Sequence, residues 1–294
     1  MPELPEVEVA ARNLRRWVAG RRVRVARADG HARRIFRPGT PAALRALAGA
    51  RFEEVRRIGK NLLITLSGRS GPLGVWSHLG MTGKWLRRAA GDAAPAVSRI
   101  ELELDDGTRL HYVDRRMFGR FRIVPGARFE GLPEIAALGP DPLTDGIDAR
   151  ALHTRLARSK LPIKVAIMDQ ALLPGVGNIQ ASEALFRAAI DPRRPARELS
   201  LAEVKRLARA ILASIHFTLK TFAAAGADGG AGSGASGGAG GTDADIGYVE
   251  ERAAPNRFLV YAHAGARCPR CKKGTILRIV QAQRATFFCP RCQK

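Results

Sequence analysis

The chain has 294 residues, 46% of them hydrophobic, with 49 lysines and arginines against 27 aspartates and glutamates, a formal net charge of +22. That length allows two domains and a real core, while the absence of any run near eighteen apolar residues excludes a membrane-spanning helix. No signal peptide opens the chain, so an intracellular protein without a membrane partner is expected, and a globular chain this basic meets a polyanion, nucleic acid first.

The start, Met1-Pro-Glu-Leu-Pro-Glu6, reads as a helix entry, with Pro5 suited to the first turn and Glu6 and Glu8 to its positive end. Val7, Ala10, Ala11, Leu14 and Val18 then form an apolar stripe at helical spacing, closed by Gly20. Arg21 to Ala28 alternates like a strand, and Thr40 to Gly49 reads as a short helix with Thr40 as cap and Pro41 in the first position. Strand patterns follow at Phe52–Ile58, Leu62–Leu66, Leu73–Ser77, Arg99–Leu104, Arg109–Val113 and Phe121–Val124. Asp106-Gly107 marks a hairpin between two of them, and so many short strands predict a β-sandwich or barrel over residues 1–130.

Pro125 to Gly146 is rich in proline and glycine and reads as a linker, placed at 131–147. The period then becomes helical over 148–158, 162–173, 178–190 and 200–223, an all-α block of helix-turn-helix character at 148–223. Residues 224–247 open on a tract of glycine, alanine and serine that predicts a flexible loop. Tyr248 to Tyr261 recovers strand character, within a last segment at 248–294.

That segment holds all four cysteines, as Cys268-Pro-Arg-Cys271 and Cys289-Pro-Arg-Cys292. Two C-x2-C pairs at this spacing predict one tetrahedral, structural Zn²⁺ stapling a β-hairpin. Arg270, Lys272, Lys273, Arg278, Arg284 and Arg291 make that hairpin basic enough to grip DNA.

Removal of Met1 would give Pro2 a free secondary amine, able to form a Schiff base with a sugar aldehyde carbon, and Glu3 beside it could move a proton. Gly175-Val-Gly-Asn178 offers backbone N–H groups for a phosphate, with Asn178 as helix cap, and equally reads as a plain helix–helix turn. Lys60 follows Gly59 at a strand start, where a solvated lysine is the simpler reading, and Lys160 is a basic residue ahead of Pro162. His78-Leu-Gly-Met-Thr-Gly83 is a loop with Met81 as an apolar tip, and Phe118 follows Arg115 and Arg116. Such tips can wedge between base steps or simply pack in their loops.

Taken together, Pro2 to Glu6, Gly59-Lys60, His78 to Gly83, Asp114 to Gly119, Gly175 to Asn178 with Ala181-Ser-Glu183, and Gln281 to Lys294 resemble the formamidopyrimidine-DNA glycosylase/endonuclease VIII family, closest to its formamidopyrimidine branch. The resemblance implies an α+β multidomain chain: an N-terminal β-sandwich with flanking helices, a helix-two-turn-helix domain and a four-cysteine zinc-finger hairpin. It implies a monomer that binds damaged double-stranded DNA, excises oxidised purines and cuts the strand as an AP lyase, with one structural zinc. Pro2, Glu3, Lys60 and Arg284 match its catalytic positions. His78, Met81, Arg116, Phe118, Lys160 and Asn178 match its DNA contacts, and Cys268, Cys271, Cys289 and Cys292 its metal ligands. Met117 stands where a second arginine is frequent, and Gln180 where an aromatic residue is frequent. With Met117 and the low-complexity loop, the same chemistry on oxidised pyrimidines or abasic sites stays open, as does a DNA-binding scaffold without turnover.

Overall fold

The computed structural model describes residues 2–227 and 256–294. The chain forms two compact units, one built on Glu6–Ala136, the other on Ala137–Thr221 with Glu3–Pro5 and the described C-terminal residues.

In the first unit, helix α1 (Leu4–Val18) buries Val7, Ala10, Ala11, Leu14 and Val18 as their spacing predicts, and Trp17 with them. The strands are β1 (Val23–Ala28), β2 (Arg51–Ile58), β3 (Asn61–Gly68), β4 (Gly71–His78), β5 (Lys84–Arg88), β6 (Ser98–Leu104), β7 (Arg109–Val113) and β8 (Arg120–Pro125). They form two antiparallel four-stranded sheets in the orders β1-β6-β7-β5 and β2-β3-β4-β8. Both sheets contribute to one core: Ile100, Leu102, Trp85 and Tyr112 from the first, Val55, Ile64, Val75 and Phe121 from the second. This is the β-sandwich that the strand pattern predicts.

Gly107 closes the β6–β7 hairpin at φ +81°, and Asp106 Oδ1 accepts the Thr108 amide. The Thr40 segment is a 3-10 helix, Pro41–Leu47, with Thr40 Oγ1 accepting the Ala42 amide. Strand β5 has no counterpart in the sequence reading. Its Trp85 and Leu86 are consecutive and both buried, so the alternation that marks a strand is missing. The Pro/Gly-rich stretch carries a 3-10 turn at Phe129–Gly131 and the one-turn helix α2 (Pro133–Ala136), with Phe129, Leu132 and Ile135 buried.

The second unit holds α3 (Ala149–Leu156), α4 (Ile163–Ala166), α5 (Asn178–Ala188) and α6 (Leu201–Ala227). Asp148 caps α3 through the amides of Arg150 and Ala151. The helix expected over 162–173 is a single turn. Beyond it Gln170 holds a tight loop, accepting the Gly175 amide and donating to the carbonyls of Met168 and Val176. Those bonds divert the backbone from the helical ladder. Helix α5 ends at Ala189, in the left-handed conformation at φ +55°. Helix α6 continues into the glycine- and alanine-rich tract as far as Ala227; the rest of the expected loop lies outside the described residues.

The strand expected over 248–261 lies outside them as far as 255, and from 256 it is not a strand. The amides of Leu259, Val260 and Tyr261 turn inward and donate to the buried carboxylate of Glu183. The chain finishes with the hairpin β9 (Leu277–Gln281) and β10 (Arg284–Phe288). Among the described residues no helix is long and apolar enough to cross a membrane.

Candidate active site

In the second unit the centre of the site is Glu3, only 2% exposed. Its carboxylate accepts the backbone amides of Gly177 (3.1 Å), Ile179 (2.8 Å) and Gln180 (3.0 Å), the first turn of α5. A helix N-terminus leaves these donors unsatisfied and carries partial positive charge, so an anion there is doubly favoured. The sequence leaves these amides open to a phosphate or to a plain helix–helix turn, with Asn178 as cap; the structure gives amides and cap to Glu3. Asn178 is the first residue of α5 and makes no cap bond.

Two glycines permit this approach. A Cβ on Gly177 would lie 2.4 Å from the Glu3 Cδ, and one on Gly175, at φ +89°, would strike Leu4 at 2.6 Å. The Leu4 amide also donates to the Gly175 carbonyl at 3.0 Å. The glycines are thus needed for close packing of the N-terminal residues as well as for the turn.

Asn178 Oδ1 instead accepts the ammonium of Lys164, a fully buried residue of α4. Burial, reinforced by the positive charge of Arg284, pulls Lys164 down to about 8, against the opposing pull of Glu3. Lys164 was missed in the sequence; its signal is a lysine inside the apolar run Ile163-Lys-Val-Ala-Ile167. Lys160, matched to the family's DNA contacts in the sequence, is exposed in the loop before α4. Arg284 opens β10 directly after Ala282 and Gln283, which turn the hairpin with φ of +45° and +61°. Non-glycine residues rarely take that conformation, and it fixes where Arg284 leaves the strand. Pro2, buried, is joined directly to Glu3.

The hairpin's cysteines meet as their spacing predicts. All four sulfurs lie within 4.8 Å of one another, with Cys268–Cys292 at 3.7 Å and Cys271–Cys289 at 4.0 Å. A tetrahedron with Zn–S bonds of about 2.3 Å has edges of about 3.8 Å, so the donor set fits one Zn²⁺ with no position left for a substrate. The Gly274 amide points at Cys271 Sγ at 3.2 Å, the kind of donor that steadies a thiolate ligand.

In the first unit, Lys60 sits on the β2–β3 turn with Gly59 at φ +56°. Arg57, itself buried, braces that turn: its Nη1 donates to the Gly59 carbonyl and its Nε to Glu8 on α1 at 2.9 Å. Burial alone would raise Glu8, but the guanidinium bonds of Arg57 and Arg12 hold it below the usual carboxylate range. His78 Nδ1 accepts the Gly80 amide at 3.0 Å. Burial, then the charges of Lys60 and Arg120, lower His78 to about 4, so the ring is neutral near pH 7.

The loops carrying Met81 and Phe118 are joined. Asp114 accepts the Thr82 hydroxyl at 2.5 Å and the Gly119 amide at 2.8 Å. A Cβ on Gly80, at φ +62°, would fall 2.4 Å from the Phe118 carbonyl. Phe118 is left 53% exposed, an unusual state for so large an apolar ring, with the Arg116 guanidinium 4.8 Å from its centroid. Met81 is half-buried, and Met117 turns at φ +54° to pack against the sandwich core.

Profiles of known families cover most of the chain: the formamidopyrimidine-DNA glycosylase N-terminal domain at residues 1–121, the helix-two-turn-helix domain of the same enzymes at 138–225, and a zinc finger found in FPG and IleRS at 265–294. The formamidopyrimidine-DNA glycosylase of Paracoccus denitrificans is 38% identical over 305 residues, covering 100% of both chains. The chain belongs to the formamidopyrimidine-DNA glycosylase family. The namesake enzyme of Symbiobacterium thermophilum is 39% identical over 300 residues, covering 100% of this chain and 89% of that one. Among solved structures, Lactococcus lactis Fpg in complex with abasic-site DNA superposes with a TM-score of 0.81 at 26% identity, covering 99% of each chain. MutM in complex with DNA containing carbocyclic 8-oxo-G gives 0.81 and 26%, with full coverage of both.

Proposed function

We propose that this formamidopyrimidine-DNA glycosylase family member is a base-excision repair enzyme that removes oxidised purines, formamidopyrimidines and 8-oxoguanine, from double-stranded DNA and then cuts the strand as an AP lyase. The observation that carries the reading is the placement of Glu3: a carboxylate seated on the α5 amides, next in the chain to Pro2 and within electrostatic reach of Lys164.

The damaged nucleotide leaves the stack, since its C1′ cannot be reached inside the duplex. With Met1 removed, the Pro2 nitrogen attacks C1′ as the glycosidic bond breaks, and the base departs with a proton. The Glu3 carboxylate takes the proton that the Pro2 nitrogen gives up and passes it to O4′ as the sugar ring opens, while water supplies the proton of the departing base, leaving an iminium between Pro2 and C1′. The iminium acidifies C2′, and loss of that proton expels the 3′ phosphate; a second elimination expels the 5′ phosphate.

Lys60, Asn178 and Arg284 hold the backbone phosphates beside the lesion, and the fully buried Lys164 acts through the Asn178 side chain that it holds. Met81 fills the gap left by the flipped nucleotide, and Phe118 with Arg116 faces the opposite strand. Lys160 adds charge at the border of the interface. The zinc supplies folding energy to the hairpin that carries Arg284. We assign 1–130 to the catalytic sandwich, 131–147 to the connection, 148–223 to the helix-two-turn-helix domain, 224–247 to the loop and 248–294 to the finger segment. The enzyme acts as a monomer inside the cell, associated with the nucleoid through DNA.

Borohydride reduction during turnover of an 8-oxoguanine duplex tests the reading. The expected result is a covalent protein–DNA adduct, lost in Pro2→Gly, with base release abolished or strongly reduced in Glu3→Gln. An enzyme that cuts normally with Pro2 replaced would overturn it.

A further inference from the structure

One residue links Glu3 to the long helix of the second unit. Gln180 is fully buried, and its backbone amide is one of the three donors to Glu3. Its side chain points away, into α6. Gln180 Oε1 accepts the Ser214 hydroxyl at 2.7 Å, and Nε2 donates to Thr218 Oγ1 at 3.0 Å. Thr218 in turn donates to the Ser214 carbonyl at 3.0 Å. Ser214 and Thr218 are themselves 1% and 2% exposed, one helical turn apart on the same face of α6. Every polar atom of the Gln180 side chain is therefore engaged within a buried network. Removing one partner would leave the others unsatisfied in a low-dielectric interior, which makes the network rigid.

An apolar side chain at this position can fill space but cannot accept from Ser214 and donate to Thr218 at once. Two hydrogen bonds thus tie the first turn of α5 to α6. That turn carries the amides on which the Glu3 carboxylate sits.

We propose that Gln180 is a positioning residue for Glu3: its bonds to Ser214 and Thr218 set the pose of the α5 first turn, and so the pose of the carboxylate during base release. The inference rests on the proposed role of Glu3. A displacement of about 1 Å in a catalytic group can cost on the order of 100-fold in rate, so the effect is kinetic before it is structural.

The test is a double-mutant cycle read by single-turnover base release from an 8-oxoguanine duplex, with affinity for an abasic-site analogue measured beside it. Gln180→Leu keeps the volume and removes both bonds; Glu3→Asp keeps the carboxylate and shortens its reach. Gln180→Leu alone should slow base release by ~10- to 100-fold while abasic-analogue affinity stays within about twofold. In the Glu3→Asp background the same substitution should cause little further loss, because the carboxylate has already left the amides. Equal losses in both backgrounds, or unchanged base release in folded Gln180→Leu, would overturn the proposal. Should Gln180→Leu fail to fold, Thr218→Val removes the Nε2 bond and the hydroxyl's bond to the Ser214 carbonyl, keeps the Oε1 bond to Ser214, and is read the same way. If Glu3→Gln and Glu3→Asp both release base at the unmodified rate, it is the underlying role of Glu3 that fails.

Discussion

Two buried carboxylates in the second unit solve the same physical problem and come to different ends. Glu3 accepts the amides of Gly177, Ile179 and Gln180; Glu183 accepts those of Leu259, Val260 and Tyr261. They are 2% and 1% exposed. Both are anions whose lost hydration is replaced by fixed backbone dipoles. Glu183 is spent on folding: it stands within α5 and ties a loop beside the core of Phe186, Val260, Cys268, Ile276, Phe287 and Cys289. Glu3 is brought to its amides from the far end of the sequence, lies within electrostatic reach of Lys164, and follows the proposed nucleophile. Caging a carboxylate does not make it functional; the company of titratable neighbours does.

The sharpest way to separate the two is to crowd one and spare the other. Gly177→Ala places a Cβ against the Glu3 carboxyl and should lower base release by about 100-fold in the protein that stays folded, beyond a stability loss of about 1–3 kcal/mol, as single-turnover kinetics and calorimetry would show. Unchanged kinetics would mean that the pose of Glu3 does not matter.

A smaller effect, on a different observable, is expected at the other carboxylate. Glu183→Gln turns an acceptor toward amides that need two, and should cost about 1–3 kcal/mol of stability in chemical denaturation. Zinc should be lost to a chelator faster, while the folded, metal-loaded protein releases base at an unaltered rate. A variant that keeps its zinc but loses catalysis would erase the distinction drawn here.

The least effect concerns charge beside Glu3. Lys164, lowered to about 8, is an ammonium below that pH and a neutral amine above it. Its attraction for phosphate is therefore present at neutral pH and lost as pH rises through about 8. The slope of log affinity against log salt should shrink by about 1 between neutral and strongly alkaline buffer, and Lys164→Met should remove that difference. A slope equally pH-dependent in the variant would assign the titration to another group.

Much of this was legible in the sequence because it is local. The α1 stripe, the Asp106-Gly107 hairpin and the Thr40 cap each depend on residues a few positions apart, and the strands of the sandwich kept their places. The two C-x2-C pairs fixed a metal centre before any fold was known, because a tetrahedral ion accepts few spacings. Residues with strong chemistry, Pro2, Glu3 and Arg284 among them, stood out by type and motif. What only the tertiary structure decided is who answers whom. A carboxylate near the first residue caps a helix that begins at Asn178, so the amides that looked ready for phosphate are taken. A lysine hidden in an apolar run meets Asn178, and a buried glutamine ties α5 to α6. Hydrogen bonds and desolvation act over a few ångströms of space, and the sequence carries no measure of that distance until the chain has folded.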